Sequence, residues 1–439
     1  MSDSTARKTT DYDSQTDERR PNFLTLPTDV ATANREPHSY ERWLIAKLLK
    51  MAGSPPVRFQ LWNGELVEPE DADAEFTIRL SDHKALLTLV ANPNLAFGDL
   101  YSAGRLEVDG NLTDLLEALY RKVNKARQQW PNWLEALWRN HNPRSTGLSE
   151  ARENINHHYD LGNDFYRLWL DSAEMQYTCA YFESPDITLE QAQLAKLEHV
   201  CRKLRLKPGM SVAEAGCGWG GLSRYMAREY GVKVHAYNIS REQLAYAREE
   251  ARRQNLDHLI EYIEDDYRNI DGQYDAFVSI GMLEHVGKEN FPAMSELIQR
   301  VLKPTGIAML HSIGRNRPML MNAWIEKRIF PGAYPPSISE FMSICEAGDF
   351  SVLDVENLRL HYAQTLSHWM ERFQNHREQV TEMYDEHFAR AWEMYLAGSI
   401  AAFRAGNLQL FQVVFSHESN NELPQNRRDL YEASAVPEA

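Results

Sequence analysis

The 439-residue sequence contains no apolar run of the ~18 residues that a membrane-crossing helix needs, and its polar N-terminus carries no secretory apolar segment. Cysteine is scarce. Cys179, Cys201, Cys217 and Cys345 have no paired spacing and no accompanying histidine ligands. This argues against a disulfide framework and a zinc site, and predicts a reducing, cytoplasmic setting. Basic charge is also short: 47 Lys and Arg stand against 63 Asp and Glu, a net charge of -16. Nucleic acid is therefore not an expected partner. The same charge opposes an anionic membrane, so any membrane contact must rest on local basic and apolar patches.

The length predicts more than one core. Residues 1–37 are polar and read as a disordered tail. Residues 38–130 read as a small α+β domain. It has a helix over Ser39 to Ala52, strands at Val57 to Trp62 and Leu66 to Val67 around an Asn63-Gly64 turn, further strands at Phe76 to Leu80 and Ala85 to Val90, and a helix from Leu112 to Lys125. Trp130, Trp133 and Trp138 mark a connecting helix, ended by His141-Asn142-Pro143. Residues 131–416 form the larger domain. Its strands at Ser211–Ala215, Val232–Tyr237, Ile260–Glu264, Ala276–Ile280 and Gly306–Ser312 alternate with helical periodicity. That alternation predicts an α/β, Rossmann-like, mainly parallel sheet with helices on both faces. From His417 the chain is again polar and reads as a loose tail.

The most informative stretch is Val212 to Gly221. A short buried strand runs into Gly216-Cys217-Gly218-Trp219-Gly220-Gly221, and helical spacing resumes at Leu222. Such a loop brings backbone close to a ligand and offers free N–H groups at a helix start. Gly216, Gly218 and Gly221 satisfy the dinucleotide fingerprint. Gly216, Gly218 and Gly220, with Glu214 before them, equally satisfy the loop of S-adenosylmethionine (SAM) methyltransferases. A dinucleotide site expects an acid at the end of the second strand, where this chain has Asn238, which favours SAM. Ligands in such sheets lie outside the carboxyl ends of the strands. The strand ends supply Glu214 and the glycines, Asn238 with Ser240 and Gln243, Asp265-Asp266-Tyr267-Arg268, Ile280 through His285, and His311. Each has a bland alternative, as a helix cap, a surface acid or a structural histidine.

Several segments go further. Asn156-His157-His158-Tyr159-Asp160-Leu161-Gly162-Asn163-Asp164-Phe165-Tyr166, Met175-Gln176-Tyr177-Thr178-Cys179-Ala180-Tyr181-Phe182, the glycine loop, Gly281-Met282-Leu283-Glu284-His285-Val286-Gly287, His311-Ser312-Ile313-Gly314, Ile329-Phe330-Pro331-Gly332, His361-Tyr362-Ala363-Gln364-Thr365-Leu366 and Gln409-Leu410-Phe411-Gln412-Val413-Val414-Phe415 occur in that order. Over residues 40–416 the chain resembles the cyclopropane-fatty-acid synthases. The resemblance implies transfer of the SAM methyl to a cis double bond in a phospholipid acyl chain at a membrane surface. A bound bicarbonate then takes the proton whose loss closes the ring. It implies a bicarbonate cradle of Glu284, His311 and Tyr362, with backbone near Cys179 and Ile280. It implies a cofactor site of Tyr177, Thr178, Glu214, Gly216, Cys217, Gly218, Gly220, Asn238, Gln243, Asp266, Tyr267 and Arg268. It implies aromatic faces for the cation, from among Tyr181, Phe182, Tyr267 and Trp324. Peripheral membrane contact follows from the substrate, with Ser39–Ala52 and Leu112–Arg127 as candidate docking helices. The family often forms homodimers, which makes a second copy a candidate partner.

The chain departs from the family's usual pattern at Ala213-Glu214-Ala215, where Leu-Asp-Ile is common, at Asn238, where Thr is common, and at Thr178, where Ser is common. These positions touch the cofactor more than the cradle. They leave open a branched rather than cyclic product. Plant amine N-methyltransferases share much of the same motif set but lack a reason for the small N-terminal domain.

Overall fold

The computed structural model describes residues 35–70, 73–127 and 161–431. Most of the expected N-terminal tail, the tryptophan-marked connecting helix, residues 156–160 of the first family segment and the last eight residues lie outside the described residues.

Two sheets organise the chain. The smaller has strands β1 (Val57–Gln60), β2 (Leu66–Val67), β3 (Phe76–Leu80) and β4 (Leu106–Asp109) in the order β2-β1-β3-β4. Helices Ser39–Met51, His83–Ala91, Pro93–Ser102 and Leu112–Arg127 accompany it. One expectation fails here. Ala85 to Val90 is helix, not strand. A short apolar run does not distinguish the two by periodicity alone. What decides is Asp82, whose side chain accepts the Ala85 N–H at 2.9 Å and caps the helix start.

The larger sheet has β5 (Ser211–Ala215), β6 (Lys233–Asn238), β7 (Ile260–Glu264), β8 (Tyr274–Ile280), β9 (Leu302–Gly314), β10 (Phe350–Asn357) and β11 (Gln409–His417). Its order is β10-β11-β9-β8-β5-β6-β7. β5 to β9 pair in parallel, and β11 runs antiparallel to both neighbours. Alternate residues feed two apolar layers. Val212, Val278 and Met309 pack under helices Leu189–Lys203, Gly221–Tyr230 and Arg241–Arg253, whereas Ala213, Phe277 and Leu310 pack under Phe291–Val301 and Ile338–Ala347. Burial on both faces is what makes these strands read as continuous apolar runs. The fold is therefore the expected Rossmann-like, mainly parallel sheet with helices on both faces.

The C-terminal expectation is corrected. His417 ends β11, inside the sheet, and residues 418–431 fold back rather than hang loose. Leu430 is buried, Arg427 pairs with Asp354 at 2.6 Å, and Asp429 pairs with Arg205 at 3.0 Å. The polar stretch carries apolar anchors, Leu423 and Leu430, and charges that find partners.

The small sheet does not keep its core to itself. Ile45, Phe59, Ile78, Leu89 and Leu116 belong to one contiguous apolar cluster with Trp324, Leu366, Trp369 and Leu396. No helix among the described residues is long and apolar enough to cross a membrane.

Candidate functional site

Strand order reverses at β5, with β6 and β7 on one side and β8 and β9 on the other. In open α/β sheets this is where ligands bind, beyond the carboxyl ends of the strands. The glycine loop leaves β5 there, and the Gly216 and Cys217 N–H groups donate to the Tyr237 carbonyl at 2.9 and 3.1 Å. Asn238 ends β6. Its Nδ2 donates to the Gly218 carbonyl at 3.3 Å and to Gln243 Oε1 at 2.8 Å, joining loop, strand and helix. After β7, Asp266 caps a single turn by accepting the Arg268 N–H at 3.0 Å. Arg268 lies over the Tyr267 ring, 5.3 Å from its centroid. At Gly218 an added Cβ would meet no atom within 4 Å, so the space before the loop is open to a ligand. Backbone, amide pair and acid-capped turn at three adjacent strand ends fit a nucleoside-type cofactor.

Glu214 takes a different place from these. It is buried on the face of β5 covered by Leu189–Lys203, and its carboxyl accepts from Ser223 Oγ in the next helix. Burial pushes it up to about 7. It braces the loop against the helix and does not line the adjoining cavity. The Cys217 thiol is buried beside it and pushed up by the same desolvation.

That cavity has a volume of about 950 Å³. Tyr177, Thr178, Cys179, Glu284, His311 and Tyr362 line it. The sequence spreads these residues over 186 positions; the fold collects them. Glu284 follows β8 on the short turn Leu283–His285, and its Oε1 accepts the Ile313 N–H at 2.6 Å. Its Oε2 is buried with no hydrogen-bond partner among the described residues, and the same holds for His311 Nε2. His311 is the register partner of Ile280, and the Gly281 N–H donates to its carbonyl at 2.9 Å. Tyr362 stacks near Phe403, with centroids 4.8 Å apart. Burial pushes Glu284 up to about 7 and His311 down to about 3, favouring the neutral form of each.

Of the aromatic residues considered for cation stabilisation, Trp324 lines the cavity; Tyr181, Phe182 and Tyr267 do not. Tyr181 instead stacks between His199 and His361, at 4.4 and 4.9 Å. Phe330, Tyr395 and Phe403 add further faces to the cavity. Trp324 rests flat on Gly98 of the small sheet's helix, where a Cβ would lie 2.5 Å from the indole. The Arg328–Asp99 ion pair, at 3.0 Å, locks the two helices together.

A stripe of buried basic side chains lies outside the sequence expectations. Lys196, His199 and Lys203 form an i, i+3, i+7 stripe on one helix, facing the sheet. Lys196 Nζ donates to Thr178 Oγ1 at 2.9 Å and holds the segment that carries Tyr177; burial pulls it down to about 8. The signal was present, since lysines on the inward stripe of an amphipathic helix demand partners.

Cys179 invites a nucleophile reading that its surroundings oppose. The side chain is fully buried, donates to the Ala180 carbonyl at 3.2 Å, and burial pushes its thiol far up. A thiol that stays protonated is a poor nucleophile. Cys179→Ser should retain at least about a tenth of wild-type turnover, against the loss of several powers of ten expected for a missing nucleophile. Turnover below a thousandth, with SAM affinity intact, would reinstate the nucleophile.

The mycolic acid cyclopropane synthetase family profile matches residues 147–413, and a domain of unknown function (DUF7884) matches residues 44–129. The cyclopropane-fatty-acyl-phospholipid synthase of Escherichia coli (strain K12) is 38% identical over 359 residues, covering 80% of this chain and 91% of that protein. The tuberculostearic acid methyltransferase UfaA1 of Mycobacterium tuberculosis is 34% identical over 335 residues, covering 72% and 78%. Among solved structures, the mycolic acid cyclopropane synthase CmaA1 complexed with SAH and CTAB superposes with a TM-score of 0.57 at 32% identity, over 60% of this chain and 97% of that one. With the glycine loop at the strand reversal and the strand-end residues around it, these matches establish that the chain belongs to the mycolic acid cyclopropane synthetase family and is a SAM-dependent methyltransferase.

Proposed function

We propose that this enzyme transfers the SAM methyl group to a cis double bond of an unsaturated phospholipid acyl chain, and closes a cyclopropane ring with bicarbonate as the base. The observation that carries the reading is the pair of unsatisfied buried atoms, Glu284 Oε2 and His311 Nε2, on one largely apolar cavity. A buried carboxyl oxygen and a buried ring nitrogen left unpaired are costly unless a ligand completes them. A bicarbonate ion fits these residues: Glu284 would accept its O–H, and His311 and the Tyr362 hydroxyl would donate to its oxygens. When bound, SAM supplies an electrophilic methyl and bicarbonate a proton acceptor.

The chain's own residues do the rest. The cavity walls hold the alkene dry and in line with the methyl, so proximity supplies much of the rate. The π electrons form the new C–C bond as the methyl's bond to sulfur breaks, that bond's electron pair stays on the departing thioether, and a cation is left on the neighbouring carbon. Trp324, Phe330, Tyr362 and Tyr395 line the cavity and supply the aromatic surroundings that stabilise it. The added methyl then gives up a proton towards the cradle, and its C–H electron pair closes the ring. Glu284 orients the base and keeps it basic. Proton loss elsewhere from the same cation would give a branch. Mass spectrometry of phospholipids from cells expressing the chain tests this. A gain of one CH₂, with fragmentation locating a ring, is the expected result. An unchanged acyl profile would overturn it, and a branch would reassign the product.

The substrate also requires a membrane-facing surface, on the cytoplasmic side by the cysteine argument. Helix Ser39–Met51 suits it better than Leu112–Arg127. Tyr40, Trp43 and Met51 are 45%, 57% and 65% exposed, on the face that carries Lys47 and Lys50. Apolar rings flanked by lysines are the composition of an interfacial helix. Helix Leu112–Arg127 instead buries Leu115 and Leu116 and bonds to Asn407 and the Arg404 carbonyl. Lys47→Glu with Lys50→Glu should weaken binding to anionic phospholipid vesicles at least about tenfold, at roughly 1 kcal/mol per lysine. Lys122→Glu with Lys125→Glu should leave it nearly unchanged in the same sedimentation assay; the reverse ranking would move the docking surface.

A further inference from the structure

We propose that Lys203 and Gln412 are positioning residues that fix His311 as its Nε2–H tautomer, so that a donor rather than a lone pair meets the anionic base. This rests on the cradle role of His311 given above and adds to it the device that sets the ring's proton.

Glu356 on β10, Gln412 on β11 and His311 on β9 are successive cross-strand partners, and Ile280 on β8 continues the row. Directly opposed residues share a face and touch. The row depends on an irregularity in β10. Val352 pairs with Phe415 and Asp354 with Val414, so one extra residue, Leu353, lies between them. Without it Val355 would oppose Gln412, and both Asp354 and Glu356 would turn to the other face. The bulge delivers two carboxylates to the face over which Leu189–Lys203 lays Lys203.

The hydrogen bonds then admit one assignment. The Lys203 ammonium has donors only. It is fully buried, 2.6 Å from Glu356 Oε2 and 3.5 Å from Asp354 Oδ2, and 2.8 Å from the Gln412 side chain. The Gln412 atom facing it must therefore be the oxygen, which removes the usual ambiguity of an amide's orientation. The Gln412 NH₂ group then faces His311 Nδ1, at 3.1 Å. Gln412 is itself fully buried and does not turn away to water. A donor facing Nδ1 makes Nδ1 the acceptor, and the single proton of the neutral ring sits on Nε2. Nε2 is the atom left unpartnered at the cavity. The opposite tautomer would aim a lone pair at an anion. Glu356 completes the support, because it also accepts from His199 at 2.7 Å. Burial opposes its ionisation, yet the His199 and Lys203 bonds hold it down to about 2. Lys203 therefore keeps a charged partner across the working pH range. An amide also neither gives nor takes a proton here, so the row orients His311 without draining it.

The test is ¹⁵N NMR of the full-length protein with labelled histidine, with the His311 signals assigned by subtraction of a His311→Gln spectrum. The wild type should show His311 as Nε2–H with Nδ1 unprotonated; an Nδ1–H ring would overturn the proposal, whatever the variants do. Gln412→Glu places a carboxylate opposite Nδ1 and should shift the proton there. It should lower kcat at least about tenfold and raise the bicarbonate concentration needed for half-maximal rate, with SAM Kd unchanged. Lys203→Met should act in the same direction and less strongly. A Gln412→Glu protein that keeps the Nε2–H ring would also overturn it. If instead the tautomer moves as stated while turnover and bicarbonate dependence do not, the tautomer assignment stands and the cradle reading of His311 falls.

Discussion

Glu284→Gln should cut turnover by about 100-fold or more while leaving SAM affinity unchanged. The size follows from what proton-handling groups contribute, typically 10²–10⁴-fold. The selectivity follows from geometry: Glu284 lies on the turn after β8, away from the Asn238–Gln243 pair and the Asp266 turn. Glutamine keeps the shape and its oxygen can still accept the Ile313 N–H, but the unpartnered acceptor oxygen is then replaced by an NH₂ group, which donates and cannot accept the base's O–H. The pH profile sharpens the prediction. Burial pushes Glu284 up to about 7, so at constant bicarbonate the wild-type rate should rise through that pH, and Glu284→Gln should flatten the rise.

Stability should move the other way. The folded carboxyl titrates near 7 and the unfolded one near 4.5, so the folded state holds the extra proton between those values. Its contribution is full below the unfolded pKa and is lost as pH rises through the folded one, by up to about 3 kcal/mol. Glu284→Gln should thus melt higher than wild type at pH 8 and close to it at pH 5. A variant with wild-type turnover would remove Glu284 from the chemistry. One that is inactive but fails to bind SAM would show collapse instead.

The second large effect is expected at the glycine loop. Gly221→Ala should weaken SAM binding at least about 100-fold and destabilise the fold by about 1–3 kcal/mol, the usual cost of overpacking. Gly221 begins the helix beneath the loop. A Cβ there would strike the Gln176 amide and lie 2.6 Å from the Glu174 carbonyl oxygen and 2.9 Å from Glu174 Cβ. The side chain can swing away; the backbone oxygen cannot. Glu174 is itself pinned by Arg224 at 2.8 Å, so the clash must be relieved by moving the segment that carries Tyr177 and Thr178. Calorimetric titration with SAM and thermal melts measure both effects. An unchanged Kd would mean the loop tolerates the displacement and that this contact does not govern the cofactor site.

The α/β sheet was legible because strands buried on both faces read as apolar runs, and because glycines at the reversal point have few other uses. Glu284, His311 and Tyr362 were legible through the family's motifs, each a short string around a strand end or helix start. The helix at Ala85–Val90 was not, because Asp82 at the cap outweighs the run it precedes. β10 and β11 were overlooked for a related reason. Both follow helices as the parallel strands do, but β11 pairs antiparallel with β9 and β10 across long chain separations, which no local pattern announces. Gln412 was quoted within a motif, yet nothing local told it from Gln409.

The sequence by itself determined the chemistry available to this protein: a glycine loop without a following acid, an acid just past one strand, a histidine near the end of another, and aromatic residues close by. These are matters of residue type and spacing, and they survive without knowledge of the fold. Only the tertiary structure decided which polar atoms go unpaired, that the small sheet's helix walls the cavity through Gly98 and Trp324, and that a one-residue bulge in β10 sets Glu356, Lys203 and Gln412 behind His311. The physical reason is range. Periodicity and capping act within a few residues, whereas a desolvated hydrogen bond is decided by whichever groups the whole chain brings within about 3 Å.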